Sequence, residues 1–509
     1  MDQSADNING STYKGLFIFS SIAASAGLPI DQFNFLLSEL LALIFALIFR
    51  RFLPPKPSNT MTRHIVASLL GLALGYFCFG AEIWHLIAQS AGVYLMLYVV
   101  PPKHSYLVIF VFCMIYMSVI HIHRVIYDYG NYTLDISGPL MINTQKLTAL
   151  AFAFFDGYRS KQQAKRQGTD KTDEKSVLSP DQETQKINHI PNIIEYFSYI
   201  FYFHGICVGP LCFFKDYCNF IEGKNLLVIP VSKDTSSSSD KQQSLEKQEQ
   251  PSVFWPVFTK LLQCGFWGYI LMIYTPYYPV EHNLSQEMVN SPFIKRVVFL
   301  LWSTFCSRVK YYFAFILSEA INNAAGLGFN GYDKQGVPQW NLLTNVKPLQ
   351  LESATSLKVV IDMWNIQTAL WLRRVCYDRL KNGRTLGVFV LSALWHGFYP
   401  GYYVCFILAA FHTYAGRGIR RQIRPYFQKN EVTKIIYACL TWFGTQMALS
   451  FAVTPFVLME IRKAWYFYQT WYFSVPILSI ILALTLNGSS SKSKQSSSPS
   501  SQEKEKKGK

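Results

Sequence analysis

The sequence predicts an all-α polytopic membrane protein with about eleven transmembrane helices enclosing a bundle. Half of the 509 residues are hydrophobic, and they come in long blocks, many close to the roughly 20 residues that a helix needs to cross a bilayer. The 47 Lys and Arg against 31 Asp and Glu give a net charge of +16. That charge sits between the blocks and in the tails, the pattern of cytoplasmic loops, so membrane orientation explains it and a nucleic-acid partner is not expected. The cysteines are scattered, mostly inside apolar segments such as those of Cys78, Cys113, Cys405 and Cys439. They form no CxxC or Cys/His ligand spacing, so neither a metal site nor a disulfide framework is expected.

Taken in order, residues 1–32 form a lumenal N-terminal segment with a sequon at Asn9-Gly10-Ser11 and no basic stretch ahead of an early apolar core, so no cleaved signal peptide is expected. The first span runs from Phe33 to Phe49. Arg50, Arg51, Lys56 and Arg63 follow it without an acidic residue, which places that loop in the cytosol and the N-terminus in the lumen. Spans at 64–80, 84–100 and 105–122 come next. Gly138-Pro139 reads as a turn, and the run Leu147 to Phe155 is short enough to be re-entrant or inside the bundle. Residues 156–190 read as a disordered cytoplasmic loop, Ile193 to Phe214 as a helix carrying His204, and 231–252 as a flexible linker. Spans at 253–278 and 293–318 follow, the second interrupted by Arg308 and Lys310. Residues 319–333 are small and polar, which predicts a loop or broken helix. Basic clusters at 373–384 and 417–434 should both face the cytosol, so the run Leu386 to Ala415 would turn back at its Gly/Pro break. Spans at 435–456 and 465–486 complete the membrane region, 33–487. Residues 488–509 form a disordered cytosolic tail that ends in Lys506-Lys507-Gly508-Lys509, similar to the dilysine retrieval signal of endoplasmic reticulum membrane proteins.

Two stretches carry chemistry. In LSALWHGFYPGYY (391–403), His396 lies between apolar runs and just ahead of the helix breakers Gly397, Pro400 and Gly401. An ionisable ring at membrane depth faces a bundle interior or a water-filled cavity, and irregular backbone there is tolerated only where protein or a cavity surrounds it. The structural alternative is an imidazole that merely hydrogen-bonds a neighbouring helix. Upstream, WNIQT (364–368) sets polar amides beside a tryptophan at the head of another apolar stretch. For Asn365 the structural alternative is a helix N-cap ahead of Ile366 to Leu372.

WNIQT followed by SALWHGFYPGYY resembles the membrane-bound O-acyltransferase (MBOAT) family, specifically its lysophospholipid acyltransferase branch. SGPLMINTQKLT (137–148), FHGICVGPLCFFKDY (203–217) and EAINNAAGLGFNGYD (319–333) extend the resemblance from about residue 100 to about 410. The resemblance implies a helical bundle around a tunnel in the endoplasmic reticulum membrane. Acyl-CoA would enter it from the cytosol as co-substrate and a lysophospholipid from the surrounding membrane lipids, with no metal or other cofactor. It also implies that Trp364, Gln367, Trp371 and Trp395 line or support the substrate chamber.

Acyl transfer from a thioester to an alcohol requires removal of the alcohol proton as the new bond forms, and a positioned imidazole can take it. His396 is therefore the expected general base. An amide N–H₂ can donate to the tetrahedral oxyanion without adding formal charge to the membrane, so Asn365 is expected to do this or to align the hydroxyl. No GxSxG motif accompanies a histidine, which favours direct transfer over an acyl-enzyme. A transporter or channel would also carry intramembrane polar residues, and a family member could instead acylate diacylglycerol, a sterol or a protein. No motif reports the head group, the acyl chain or the oligomeric state.

Overall fold

The computed structural model describes residues 13–130, 133–167, 178–226 and 250–488. Asn9, most of the expected linker at 231–252 and the tail lie outside the described residues. Among the described residues there is no strand, only an isolated bridge between Tyr332 and Pro338. The all-α expectation holds. By length and composition five stretches can cross a membrane: Ile30–Phe52, Pro57–Val99, Pro102–Tyr127, Phe254–Leu284 and Glu431–Leu458. The pair Ile461–Thr470 and Ser474–Leu486, bent by 88°, makes a sixth if counted as one span. Pro57–Val99 would be about 65 Å long if straight, twice the hydrocarbon thickness. It breaks instead at Gly80, whose φ of 55° ends the helix Thr60–Phe79 before Trp84–Val99 begins.

The tally stays below the expected eleven because other long helices carry polar and charged residues. Ser137–Gln167 is one helix of 31 residues. Gly138 and Pro139 do not turn the chain but open that helix, where proline's fixed φ and missing N–H cost nothing. Every residue from Asn143 to Ala153 on it is buried. Phe293–Ala325 is likewise unbroken over 33 residues, so Arg308 and Lys310 do not interrupt it and Glu319 to Ala325 are helical. Arg308 is buried and its Nε donates to the Tyr312 hydroxyl at 3.3 Å, while Lys310 is exposed. The helix expected to carry His204 ends earlier, at Phe201, and His204 sits in a single 3₁₀ turn, Phe203–Gly205.

The chain divides into two compact units. The first comprises Met1–Tyr277, Arg308–Pro348 and Met363–Phe398. Its centre is the Ser137–Gln167 helix, buried through its middle, which packs along Pro102–Tyr127. Several of its polar side chains reach partners on other segments: Asn143 Nδ2 donates to Gln89 Oε1 at 2.9 Å, and the Lys146 ammonium donates to the Ile200 carbonyl at 3.0 Å while lying 3.9 Å from the Tyr202 ring centre. Part of the expected disordered loop at 156–190 is ordered. The central helix runs on to Gln167, and Pro180–Gln185 is a helix with a capping box at Ser179. Arg379 grips the buried Asp156 with bonds of 2.8 and 2.7 Å, and Arg374 bonds Asp181 at 2.6 Å. Arg374 and Arg379 of the 373–384 cluster therefore lie beside Asp181 and Asp156.

The second unit, Tyr278–Ser307, Leu349–Asp362 and Tyr399–Lys509, packs Pro400–Gln422 against Glu431–Leu458 and Ser474–Gly488. Its core includes Leu300, Leu408, Phe451, Phe467 and Trp471, joined across helices by a Thr304–Ser450 hydrogen bond of 2.8 Å.

Candidate active site

The site is built on one face of the Ser137–Gln167 helix. Residues 141, 145 and 148 follow the i, i+4, i+7 spacing that lines up on a helix. The Met141 carbonyl accepts from Trp395 Nε1 at 3.0 Å, Gln145 Nε2 donates to Thr368 Oγ1 at 2.9 Å, and Thr148 Oγ1 accepts from Trp371 Nε1 at 2.9 Å. The Trp371 and Trp395 rings lie 6.0 Å apart. Two segments distant in sequence, WNIQT with Trp371 and the stretch around Trp395, are thus fastened to the helix that carries the 137–148 motif. Trp371 is fully buried and Trp395 nearly so, and both indole N–H groups are bonded, so these rings tie the segments that carry Asn365 and His396 to the helix.

His396 is the last residue of the helix Arg384–His396. It is half-buried, and its ring stands 4.7 Å from that of Trp395 in a T-shaped contact. Gly397, with φ of 117°, stops the helix, and its N–H closes onto the carbonyls of Ala393 and Leu394. The next carbonyl, that of Trp395, is met by Nε2 of His121 at 3.2 Å. A carbonyl only accepts, so His121 carries its proton on Nε2.

Asn365 stands at the N-cap position of the helix Ile366–Leu372, yet its side chain makes no capping hydrogen bond. Its backbone is left-handed, φ 46° and ψ 52°, where an N-cap is normally extended. The capping is done by Asn345: its carbonyl accepts from the Ile366 N–H at 2.9 Å, and its Oδ1 accepts from the Gln367 N–H at 3.0 Å. The side-chain cap anticipated as the structural alternative for Asn365 is therefore supplied by a different residue. Gln367 directs its amide N–H₂ at the carbonyls of Leu342 and Thr344, anchoring the same loop. Trp364 lies apart from the other tryptophans, among Tyr311, Tyr312 and Phe315 with ring separations of 5.6 to 6.1 Å.

The family motifs at 203–217 and 319–333 meet each other as well. His204 Nδ1 and Asn322 Oδ1 are 3.0 Å apart, and Asn322 Nδ2 donates to the His204 carbonyl at 2.9 Å. Asn345, His121, Gln145 and Thr148 were not singled out from the sequence. Only the 137–148 motif, quoted for its family likeness, pointed near any of them. Among the described residues, no group of three His, Cys, Asp or Glu could hold a metal ion.

The fold and this site define a helical membrane protein with a histidine at a helix end and an asparagine whose side chain is not used to cap the helix that it precedes. Residues 77–458 match the MBOAT, membrane-bound O-acyltransferase, family. Similar proteins include the membrane-bound glycerophospholipid O-acyltransferase 2 of Gallus gallus, 41% identical over 92% of this chain and 88% of that protein. Another is lysophospholipid acyltransferase 6 of Drosophila melanogaster, 37% identical over 94% of this chain and 64% of its own length. A more distant one is the lysophospholipid acyltransferase of Schizosaccharomyces pombe, 27% identical over 92% of this chain and 89% of that protein. The chain belongs to the membrane-bound O-acyltransferase family.

Proposed function

We infer that the chain is an endoplasmic reticulum lysophospholipid O-acyltransferase. It moves a fatty acyl group from acyl-CoA to the free hydroxyl, usually sn-2, of a lysophospholipid. The observation that carries this reading is the pair of polar groups held at helix ends: His396 at the end of its helix and Asn365 relieved of capping by Asn345. The names of the relatives support the same reaction class.

His396 takes the proton of the lysophospholipid hydroxyl as its oxygen attacks the thioester carbonyl. Asn365 Nδ2 donates to the oxyanion that forms, or aligns the attacking hydroxyl. Collapse of the intermediate breaks the C–S bond, and the imidazolium returns its proton to the departing CoA thiolate. No acyl-enzyme is needed, and atoms and charge balance over the step. Trp371, Trp395, Gln145 and Thr148 hold the two residue-bearing segments on one helix. Such preorganisation lets the donors act without rearrangement as charge develops.

The test is CoA release by the purified full chain, given acyl-CoA with lysophospholipids of ethanolamine, serine, choline or inositol head group. Release that depends on the lysolipid, with a diacyl product, is expected. Solute flux across liposomes that needs no acyl-CoA, with no CoA release, would identify a transporter instead. Product formed only with diacylglycerol, a sterol or a protein acceptor would keep the family and replace the substrate.

A further inference from the structure

We propose that Asn345 is a positioning residue for Asn365, a clamp that takes over helix capping so that the Asn365 amide stays available to the acyl-transfer step; this rests on the lysophospholipid acyltransferase reading above. The first N–H groups of a helix lack partners within it, and the residue at the N-cap ordinarily supplies one through its side-chain oxygen. Were Asn365 to do so, its Oδ1 would be fixed over the start of Ile366–Leu372 and the direction of its N–H₂ would be fixed with it. The structure divides the task differently. Asn345, 2% exposed, covers the N–H groups of both Ile366 and Gln367. Asn365 has left-handed backbone, and its side chain makes no capping bond.

The loop that delivers Asn345 is held on both sides of Asn365. The Lys347 N–H donates to the Met363 carbonyl at 3.0 Å, ahead of it, and Gln367 Nε2 donates to the Leu342 and Thr344 carbonyls, behind it. Thr344 Oγ1 donates in turn to the buried Glu319 at 2.5 Å, and Glu319 is paired with Lys260 at 2.9 Å. The clamp therefore does not depend on the Asn365 side chain. Ordinary helix initiation needs neither a second asparagine from a loop twenty residues upstream nor a left-handed residue at the cap. Together they place a short amide at a defined point with its hydrogen-bonding groups uncommitted to the helix.

The experiment measures kcat and KM for full-length variants purified in detergent, using oleoyl-CoA and an equimolar mixture of lysophosphatidyl-ethanolamine, -serine, -choline and -inositol. Asn345→Ala should lower kcat about tenfold, in the range set by loss of a cap, with KM for oleoyl-CoA changed by no more than about twofold. Asn345→Asp retains an acceptor for the Gln367 N–H and should recover most of the loss. Because Asn345 acts through Asn365, adding Asn345→Ala to Asn365→Gly should slow the enzyme no further than Asn365→Gly alone. Losses that multiply in the double variant, or an Asp variant as slow as the Ala variant, would overturn the proposal. Should Asn345→Ala not fold, Asn345→Ser keeps a shorter acceptor and enters the same cycle with the same two outcomes. A slow Asn365→Gly beside a normal Asn345→Ala would sink the clamp alone, whereas a wild-type chain without acyl transfer would sink the functional reading.

Discussion

Nε2 of His121 donates to the carbonyl oxygen of Trp395 at 3.2 Å, one residue before His396. That carbonyl belongs to the final turn of the helix Arg384–His396, where the ordinary acceptor role within the helix has run out. A side chain from Pro102–Tyr127 thus finishes a helix whose last residue is the expected base. The counterpart at the other motif is Asn345, which begins the helix behind Asn365. Each reactive candidate lies at a helix terminus closed by a residue distant in sequence.

If His396 takes the hydroxyl proton, His396→Ala should lose about 10² to 10⁴ in turnover and still bind acyl-CoA. Turnover and acyl-CoA binding are measured on the same folded preparation. Near-normal turnover would remove His396 from the base role.

Replacing Asn365 by glycine separates chemistry from backbone. Glycine accepts the left-handed conformation that alanine would resist, and no side-chain cap is lost because Asn345 supplies it. Asn365→Gly should therefore melt close to wild type while turnover falls by roughly 10². Asn365→Asp should be slow as well, since an ionised carboxylate has no proton to donate and repels an oxyanion. Thermal unfolding and acyl transfer read the two effects independently, and full activity in both variants would leave Asn365 without a chemical role.

Gly397 combines φ of 117° with a neighbour that leaves little room: a β-carbon there would lie 3.2 Å from the His121 ring. Gly397→Ala should destabilise the protein by about 1 to 3 kcal/mol through backbone strain and reduce turnover by displacing the end of the His396 helix. Adding His121→Ala relieves the contact but not the strained φ, so thermal unfolding should show at most partial recovery. Full recovery would mean that the ring contact, rather than the backbone, requires the glycine.

The Asp156–Arg379 pair is bidentate, and Asp156 is 1% exposed. Removing the guanidinium leaves a buried carboxylate uncompensated, so Arg379→Ala should cost about 3 to 5 kcal/mol. Arg379→Leu with Asp156→Leu should recover much of that loss, because no charge is then stranded. Unfolding midpoints of the single and double variants decide it, and a double variant as unstable as the single would assign the cost to lost packing.

Local sequence was enough to define the material of this protein. Long apolar blocks separated by basic clusters specify helices in a bilayer, because no other open backbone satisfies its own N–H and C=O groups there. The breakers Gly397 and Pro400 after His396 marked a helix end, and WNIQT followed by SALWHGFYPGYY carried the family resemblance, each motif being contiguous in the chain. Hydropathy failed at Ser137–Gln167, because a helix surrounded by protein can carry Asn143, Gln145, Lys146 and Asp156 if each finds a partner, and those partners lie on other segments. Gln145 and Thr368 are 223 positions apart, as are Thr148 and Trp371, and no local window contains both members of either pair. Whether Asn365 capped its own helix was open for the same reason. Its competitor Asn345 is brought to the helix start only when the loop of Leu342 to Lys347 folds back onto Met363 and Gln367, so tertiary hydrogen bonding, and not local propensity, decided which amide was spent on the cap.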